Sequence, residues 1–450
     1  MGWELVGEGN RNLVVRRPRR EEEHQQRGAV RVPPGKVLRL RKLPRCDEGG
    51  GGGGGGRPDV DGEMWAPHGV TGRCATTRTH SFAAKVLRKR LRGEGAGGVE
   101  LEAGELVRLP REVREEIARD VSGEARRGPA PLAFDEAALV LTDWTLWAPG
   151  ASSLRGPGTV CVELKPKCAL LPGECDGPHL CVDLVHPLRR RVLKHFLVSL
   201  HRGRRTRYDP RMLFPPATAT DRRRCLEALI ETPCNNFRVS VDGRRVYPPG
   251  PGGEACGRGC LRRALESAGV HVTAGEGPED ARGGGPDPVD ALVGTVLSLL
   301  VSNRVLESLV RVQRADRVDA VGAAALYADV AGSRGWPCAP PSVPSLESLP
   351  RAEKLRLLSE WSLSLWAKDC SVMLAFRGDA MRRPRGAQPE RIEGLDAAVA
   401  VIDIDMKSAS KAIDAYVLES ALLATAEGFL GESVGAADAP RRIQERIAGL

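Results

Sequence analysis

Lysine, aromatic residues and long apolar runs are all scarce in this sequence. Only 11 of its 67 basic residues are Lys, the rest being Arg. Aromatic residues make up 4% of the chain, and no ladder of rings alternates with basic residues. That argues against a single-strand nucleic-acid groove, where bases stack on rings, and no nucleic-acid partner is expected. The best apolar stretch, residues 291–302, is stopped by Asn303 and Arg304. It falls short of the roughly 20 residues a membrane-spanning helix needs, so no membrane association is expected. The first residues, M-G-W-E-L-V-G-E-G-N, show no basic start followed by an apolar core, and no secretory signal is read there. Gly2 invites N-myristoylation, but that pattern wants a small hydroxyl residue where Val6 stands. The 12 Cys form no framework. This predicts reduced thiols and an intracellular protein, cytoplasmic or nuclear.

Several chemistries are missing as well. No Gly-Lys-Ser/Thr follows the first Gly-rich turn, so there is no Walker loop. Cys256 and Cys260 lack further ligands in reach, and Cys175, His179, Cys181 and His186 match no zinc spacing. No Ser-His-Asp or Cys-His arrangement follows from spacing. What is present is a chain of 450 residues, long enough for two cores, with a formal charge of +9 that calls for anionic partners.

The order of elements predicts an α+β protein of two lobes. Residues 1–150 read as a β-rich first lobe: the strand W-E-L-V, the turn G-E-G-N-R-N, the strand L-V-V-R and the strand K-V-L-R-L-R-K. The Gly run at 49–56 reads as a flexible insertion. Residues 81–92 and 110–120 have helical periodicity, and A-A-L-V-L-T-D-W reads as a buried strand. Residues 151–450 read as a larger mixed lobe. It opens with the strand T-V-C-V-E-L-K-P-K, and basic helices follow at 188–201 and 219–231. F-R-V-S-V-D-G-R-R-V-Y is a hairpin turning at Asp242-Gly243. Residues 250–288 read mostly as loop, 288–366 as helices, and S-V-M-L-A-F-R and A-V-A-V-I-D-I-D-M as late strands before a helical tail.

Five of the 11 Lys (Lys165, Lys167, Lys368, Lys407 and Lys411) fall near just three motifs, V-E-L-K-P-K, W-A-K-D-C-S and V-I-D-I-D-M-K. Lys is a compact point charge where Arg is a planar fork, and a crowded polyphosphate wants compact donors from several directions. On a strand, Glu163, Lys165 and Lys167 share one face, and so do Asp403 and Asp405. Carboxylates ending an apolar strand suit Mg²⁺; solvated acids at a strand end fit the same pattern. Asp369 could accept a hydroxyl proton or cap the turn before a strand. Asn235 and Asn236 could hold phosphate oxygens or make an Asx turn. G-E-G-N-R-N could let backbone N–H groups approach a phosphate or be a plain turn.

Taken in order, G-E-G-N-R-N-L-V-V, V-L-R, A-L-V-L-T-D, V-E-L-K-P-K-C, Y-D-P-R-M-L-F, T-P-C-N-N-F-R-V-S-V-D-G, L-V-R-V-Q-R-A-D, A-K-D-C-S-V-M-L-A-F and V-I-D-I-D-M-K resemble the inositol-pentakisphosphate 2-kinases. The resemblance runs from Gly7 to about Tyr416. It implies a two-lobed, kinase-like fold with a β-rich N-lobe and a larger C-lobe carrying helical insertions. It implies a monomeric phosphotransferase that moves the ATP γ-phosphoryl group, with Mg²⁺, to the 2-hydroxyl of inositol 1,3,4,5,6-pentakisphosphate, giving inositol hexakisphosphate (phytate). By motif, Gly7, Gly9, Asn10 and Asn12 cover the ATP phosphates, Arg39 pairs with them, Asp143 lies in the hinge and Glu163 near the nucleotide. Asp369 is the general base and Lys165 faces the transferred group. Lys167, Asn235, Asn236, Lys407, Lys411, Tyr416 and Arg127 face the inositol phosphates, and Asp403 with Asp405 holds Mg²⁺.

The chain departs from the family pattern in places. Ser199 stands where the family has a substrate-binding Lys, with Lys194 and His195 nearby; Lys411 stands where an Arg is usual, and Ala415 replaces the first of two tyrosines. Ala325 stands at the family's zinc-ligating His and Cys338 is alone, so zinc is not expected. These departures keep open a non-catalytic inositol-polyphosphate-binding scaffold on the same fold. A nucleic-acid binder is a third reading, and steep salt dependence on generic RNA would mark it.

Overall fold

The computed structural model describes residues 2–8, 12–17, 32–43, 59–92, 100–122, 132–146, 158–170, 175–177, 180, 207–249, 256–270, 287–332, 336, 339–378, 381 and 397–430, the last ten for their backbone only. Two sheets carry the fold. The first is antiparallel, with strand order β1-β2-β3-β6-β5: β1 is Glu4–Glu8, β2 Asn12–Arg16, β3 Lys36–Lys42, β5 Glu105–Arg108 and β6 Phe134–Thr142. The second has the order β4-β11-β10-β7-β8-β9, where β4 is Glu100–Leu101, β7 Thr159–Leu164, β8 Phe237–Val241, β9 Arg244–Tyr247, β10 Ser371–Arg377 and β11 Ala397–Ile402. Its pairs are antiparallel except β4 with β11. This is the α+β architecture that the element order predicts.

Period-2 alternation puts Leu13, Val15, Leu38, Leu40, Ala138 and Val140 on one face of the first sheet. The helix Arg111–Val121 covers that face with Val113, Ile117 and Val121, spaced four apart on one stripe. The larger core lies under the second sheet. Helices Ala219–Glu231, Pro288–Ser302, Val305–Arg314, Asp319–Ala331 and Arg351–Ala367 build it around Trp361 and Trp366, both fully buried. The apolar helix Pro288–Ser302 is buried on nearly all sides here. Among the described residues no single helix is long and apolar enough to cross a membrane.

Sequence before residue 150 contributes to both cores. Helix Val60–Trp65 packs against helix Arg351–Ala367, and β4 extends the second sheet. A helix expected at 81–92 begins earlier, at Ala75, and its 83–87 turn is a π-helix. The Gly-rich span 250–288, read mostly as loop, contains helix Arg258–Ser267. Leu261 and Leu265 bury one side of that helix, a tertiary gain that outweighs its glycine-rich flanks. The helix expected at 188–201 and the Gly run at 49–56 lie outside the described residues.

Candidate active site

The short strand β7 aims the first charges. Pro166 has no N–H to give a ladder, and the strand stops at Leu164. Lys165 and Lys167 therefore do not share a strand face with Glu163, as alternation predicts; they lie in the segment beyond it. Lys165 still donates its backbone N–H to Asn236 O at 2.8 Å. Lys167 turns the chain with a left-handed φ of 64°. The buried Tyr208 hydroxyl donates to Pro166 O at 2.9 Å, and Gln313 Nε2 donates to Lys167 O at 2.9 Å. Gln313 Oε1 accepts the Ala169 N–H at 2.8 Å. A strained turn held by three side and main chains from other elements is a built feature.

Asp369 sits in the turn joining helix Arg351–Ala367 to β10, with its N–H on Trp366 O at 2.9 Å. Its neighbour Lys368 points away into the interior and pairs with the buried Asp316 at 3.0 Å. That pins the turn, so Asp369 alone faces outward. Lys167 Nζ reaches Asp369 Oδ1 at 3.0 Å and Lys407 Nζ reaches Oδ2 at 2.9 Å.

The second sheet supplies the other two carboxylates. Asp403 and Asp405 lie past β11, which ends at Ile402, so they are not strand neighbours on one face. Asp403 takes a φ of 68°, and Ile404 between them is buried. Both carboxylates nonetheless meet Arg39 of β3, at 3.5 Å from Asp403 and 2.9 Å from Asp405. Lys165 Nζ stands 3.4 Å from the other oxygen of Asp403. Asp405 also takes Arg41 at 3.4 Å and the Asn12 amide at 2.5 Å. Five cations thus face three carboxylates where the two sheets meet.

Charge and burial set the protonation of this cluster. Partial desolvation pushes the Asp369 carboxyl up, but the Lys167 and Lys407 charges outweigh it and hold the group well below the usual carboxylate range. Asp405 is likewise pushed up by burial and pulled down further by Arg39 and Arg41. For Lys407, burial works against the charge, and Asp369 and Asp403 more than restore it, so its pKa is raised. The adjacent Cys370 thiol is pushed up to about 12 by burial, so it is no nucleophile at neutral pH.

Around this centre lie the other expected residues. Glu163 accepts Arg238 at 3.0 Å and the Ser371 hydroxyl at 3.0 Å, and Arg238 also donates to Asn235 Oδ1 at 2.6 Å. Asn236 is buried and carries Lys165 through its carbonyl. Asp143 is buried at the end of β6, holding Arg16 at 3.2 Å and the Thr145 N–H and hydroxyl. Lys42 pairs with Glu8 at 2.5 Å, tying the end of β1 to β3 beside the Gly-rich turn. A Cβ at Gly7 would meet nothing within 4 Å, so packing does not demand glycine there. Lys411 starts helix Lys411–Leu430 and pairs with Asp414 on that helix rather than with the cluster; Tyr416 is on the same helix. Gly9, Asn10, Arg126, Arg127, Lys194, His195, Ser199 and Cys338 lie outside the described residues.

Four residues of the site were not singled out from sequence. Arg238 faces Glu163 across the β7–β8 pair, a register that the strand pattern could have provided. Arg41 follows Arg39 by two and so shares its strand face. Gln313 and Tyr208 come from remote segments, and spacing alone gives no signal for them.

The inositol-pentakisphosphate 2-kinase family model matches residues 6–421 of this chain. An Arabidopsis thaliana inositol-pentakisphosphate 2-kinase is 27% identical over 313 residues, covering 64% of this chain and 64% of that protein. The match thus spans a little under two thirds of that relative's length. Inositol-pentakisphosphate 2-kinases of Oryza sativa subsp. indica and subsp. japonica are each 23% identical over 457 residues, covering 94% of this chain and 92% of theirs.

Proposed function

The chain belongs to the inositol-pentakisphosphate 2-kinase family, and from that premise we propose that it transfers the γ-phosphoryl group of ATP to the 2-hydroxyl of inositol 1,3,4,5,6-pentakisphosphate. The observation that carries this reading is the cluster itself: Asp369 clasped by Lys167 and Lys407, beside Asp403 with Lys165 and Arg39 at longer range. One carboxylate is available for a hydroxyl proton, another for a metal, and the surrounding cations exceed the carboxylates they hold. Phosphoryl transfer asks for this combination of positioning and charge neutralisation.

The metal reading divides the two late aspartates. Asp403 is loosely held, with contacts of 3.4 and 3.5 Å and 28% of its side chain exposed. A hard cation taking one carboxylate, phosphate oxygens and water fits there. Asp405 is held more closely, by Arg39 at 2.9 Å and the Asn12 amide at 2.5 Å, and fits less well. Mg²⁺ bound at Asp403 would neutralise charge on the phosphoryl group in flight.

The chain's own groups do the rest. Substrate phosphates compete with Asp369 for Lys167 and Lys407. Each lysine that turns to a phosphate loosens its hold on Asp369 and raises the affinity of that carboxylate for a proton. Asp369 then aligns the 2-hydroxyl and takes its proton as the oxygen bonds to the γ-phosphorus. The bond from that phosphorus to the β–γ bridging oxygen breaks, and ADP leaves with the electron pair. Lys165, between the two carboxylates, lies where charge moves from donor to acceptor. Arg39 serves the ATP phosphates from the first sheet.

Incubation of the purified protein with Mg-ATP and the pentakisphosphate, resolved by anion exchange, tests the reading. The 2-hydroxyl is the only free one on that substrate, so a hexakisphosphate peak identifies the position as well as the reaction. Tight pentakisphosphate binding without product would overturn it in favour of a binding scaffold.

A further inference from the structure

We infer that Asp405 is a positioning residue that locks the first sheet onto the second across the site, and not a ligand for the metal. This deepens the kinase reading above and rests on it for the meaning of Arg39. Asp405 lies on the strap that follows β11 of the second sheet, and its side chain is only 14% exposed. Among the described residues, the groups that donate to it come from the first sheet. Arg39 and Arg41 of β3 share Oδ1 at 2.9 and 3.4 Å, and Asn12 at the start of β2 takes Oδ2 at 2.5 Å.

Asn12 is the first strand residue after the Gly-rich turn, and Arg39 also approaches Asp403. One carboxylate therefore ties together the start of β2, the phosphate-facing cation and, through that cation, the metal-facing aspartate. Moving Asp405 onto a divalent ion would pull it away from two guanidinium groups and set a new positive charge beside them. That exchange is unfavourable where water cannot enter freely. The same move costs Asp403 less, because its contacts to Arg39 and Lys165 are long and its side chain is twice as exposed. Ile404, buried between the two aspartates, anchors the strap that carries both.

The test compares Asp405→Asn with Asp403→Asn. Asp405→Asn should raise the ATP KM about tenfold, the scale of a lost charge-assisted contact. The Mg²⁺ concentration for half-maximal rate should stay as in the wild type. Asp403→Asn should instead shift the Mg²⁺ requirement. Amide hydrogen exchange in β2 and β3 should quicken in Asp405→Asn and not in Asp403→Asn, and Asp405→Glu should recover part of the ATP KM. Should Asp405→Asn not fold, Arg41→Gln reports on the same clasp, with the same direction in exchange and KM. A raised Mg²⁺ requirement with unchanged exchange would overturn the proposal. So would faster exchange with an unchanged ATP KM, which marks a merely structural contact. If the protein has no kinase activity, the exchange comparison alone still decides whether Asp405 joins the sheets.

Discussion

Replacing Gln313 with Leu isolates what a buried amide contributes to the site. Gln313 is 2% exposed on helix Val305–Arg314 and serves three backbone groups. It accepts from Ala169 N at 2.8 Å and donates to Lys167 O at 2.9 Å and to Ala367 O at 3.4 Å. Leu has a similar volume, so packing is nearly conserved, but Ala169 N–H and Lys167 C=O lose their partner. An unsatisfied buried group costs about 1–3 kcal/mol, and two such groups put the expected loss at about 3 kcal/mol. The Ala367 contact is long and adds little. Urea unfolding of the two proteins measures the difference. On the proposed reading the Lys167 amine faces substrate from this strained turn, so the pentakisphosphate KM should rise too, with the ATP KM unchanged. A stability loss below about 0.5 kcal/mol would refute the reasoning, since that is the scale of an ordinary surface substitution. Gln313→Glu is the sharper companion: it keeps the acceptor for Ala169 but sets a carboxylate against two carbonyl oxygens, and should be worse than Leu.

Lys167→Met should raise the pentakisphosphate KM by at least tenfold and leave the ATP KM within about twofold, as expected for one lost charged contact to phosphate; steady-state kinetics with each substrate varied checks it. Asp287 caps helix Pro288–Ser302, accepting Val289 N–H at 2.9 Å, and is paired with Arg258 and Arg262. Burial pushes its carboxyl up, and Arg262 and the cap bond bring it down to about 2. A folded-state value below the unfolded one contributes stability above about pH 4, lost as pH falls towards 2. Asp287→Ala should therefore lower Tm at pH 7 and flatten the acid fall in Tm between pH 4 and 2, as read by thermal melts. Asp369 and Lys407 are displaced away from neutrality in opposite directions. The free-enzyme pH–rate profile should show no inflection from either group between pH 6 and 9.

The strands were legible wherever alternation and breakers agreed. K-V-L-R-L-R-K and S-V-M-L-A-F-R run over β3 and β10 at their full predicted lengths. The hairpin at Asp242-Gly243 turns where expected, with both residues at positive φ. Alternation failed at the two functional strand ends. Carried past Leu164 and Ile402, period 2 puts Lys165 beside Lys167 and Asp403 beside Asp405. The strands instead end at Leu164 and Ile402, and Lys167 and Asp403 turn the chain with φ of 64° and 68°. Pro166 hints at the first break; nothing local announces the second. The residue types of the site could be read from the scarcity of Lys. Their partners could not, because the Lys167–Asp369 and Asn12–Asp405 contacts join residues 202 and 393 positions apart. Pairing of β7 with β10 creates the first, and folding of the two sheets against each other creates the second.

Asp369 is the centre of the account, and its most direct test is single-turnover transfer from ATP to inositol 1,3,4,5,6-pentakisphosphate by the wild type and by Asp369→Asn. Pentakisphosphate affinity is measured in parallel by calorimetry. The account predicts hexakisphosphate from the wild type. It predicts a rate lower by at least about 100-fold in the variant, the ordinary contribution of a general base, with binding retained. Equal rates in the two proteins would contradict it.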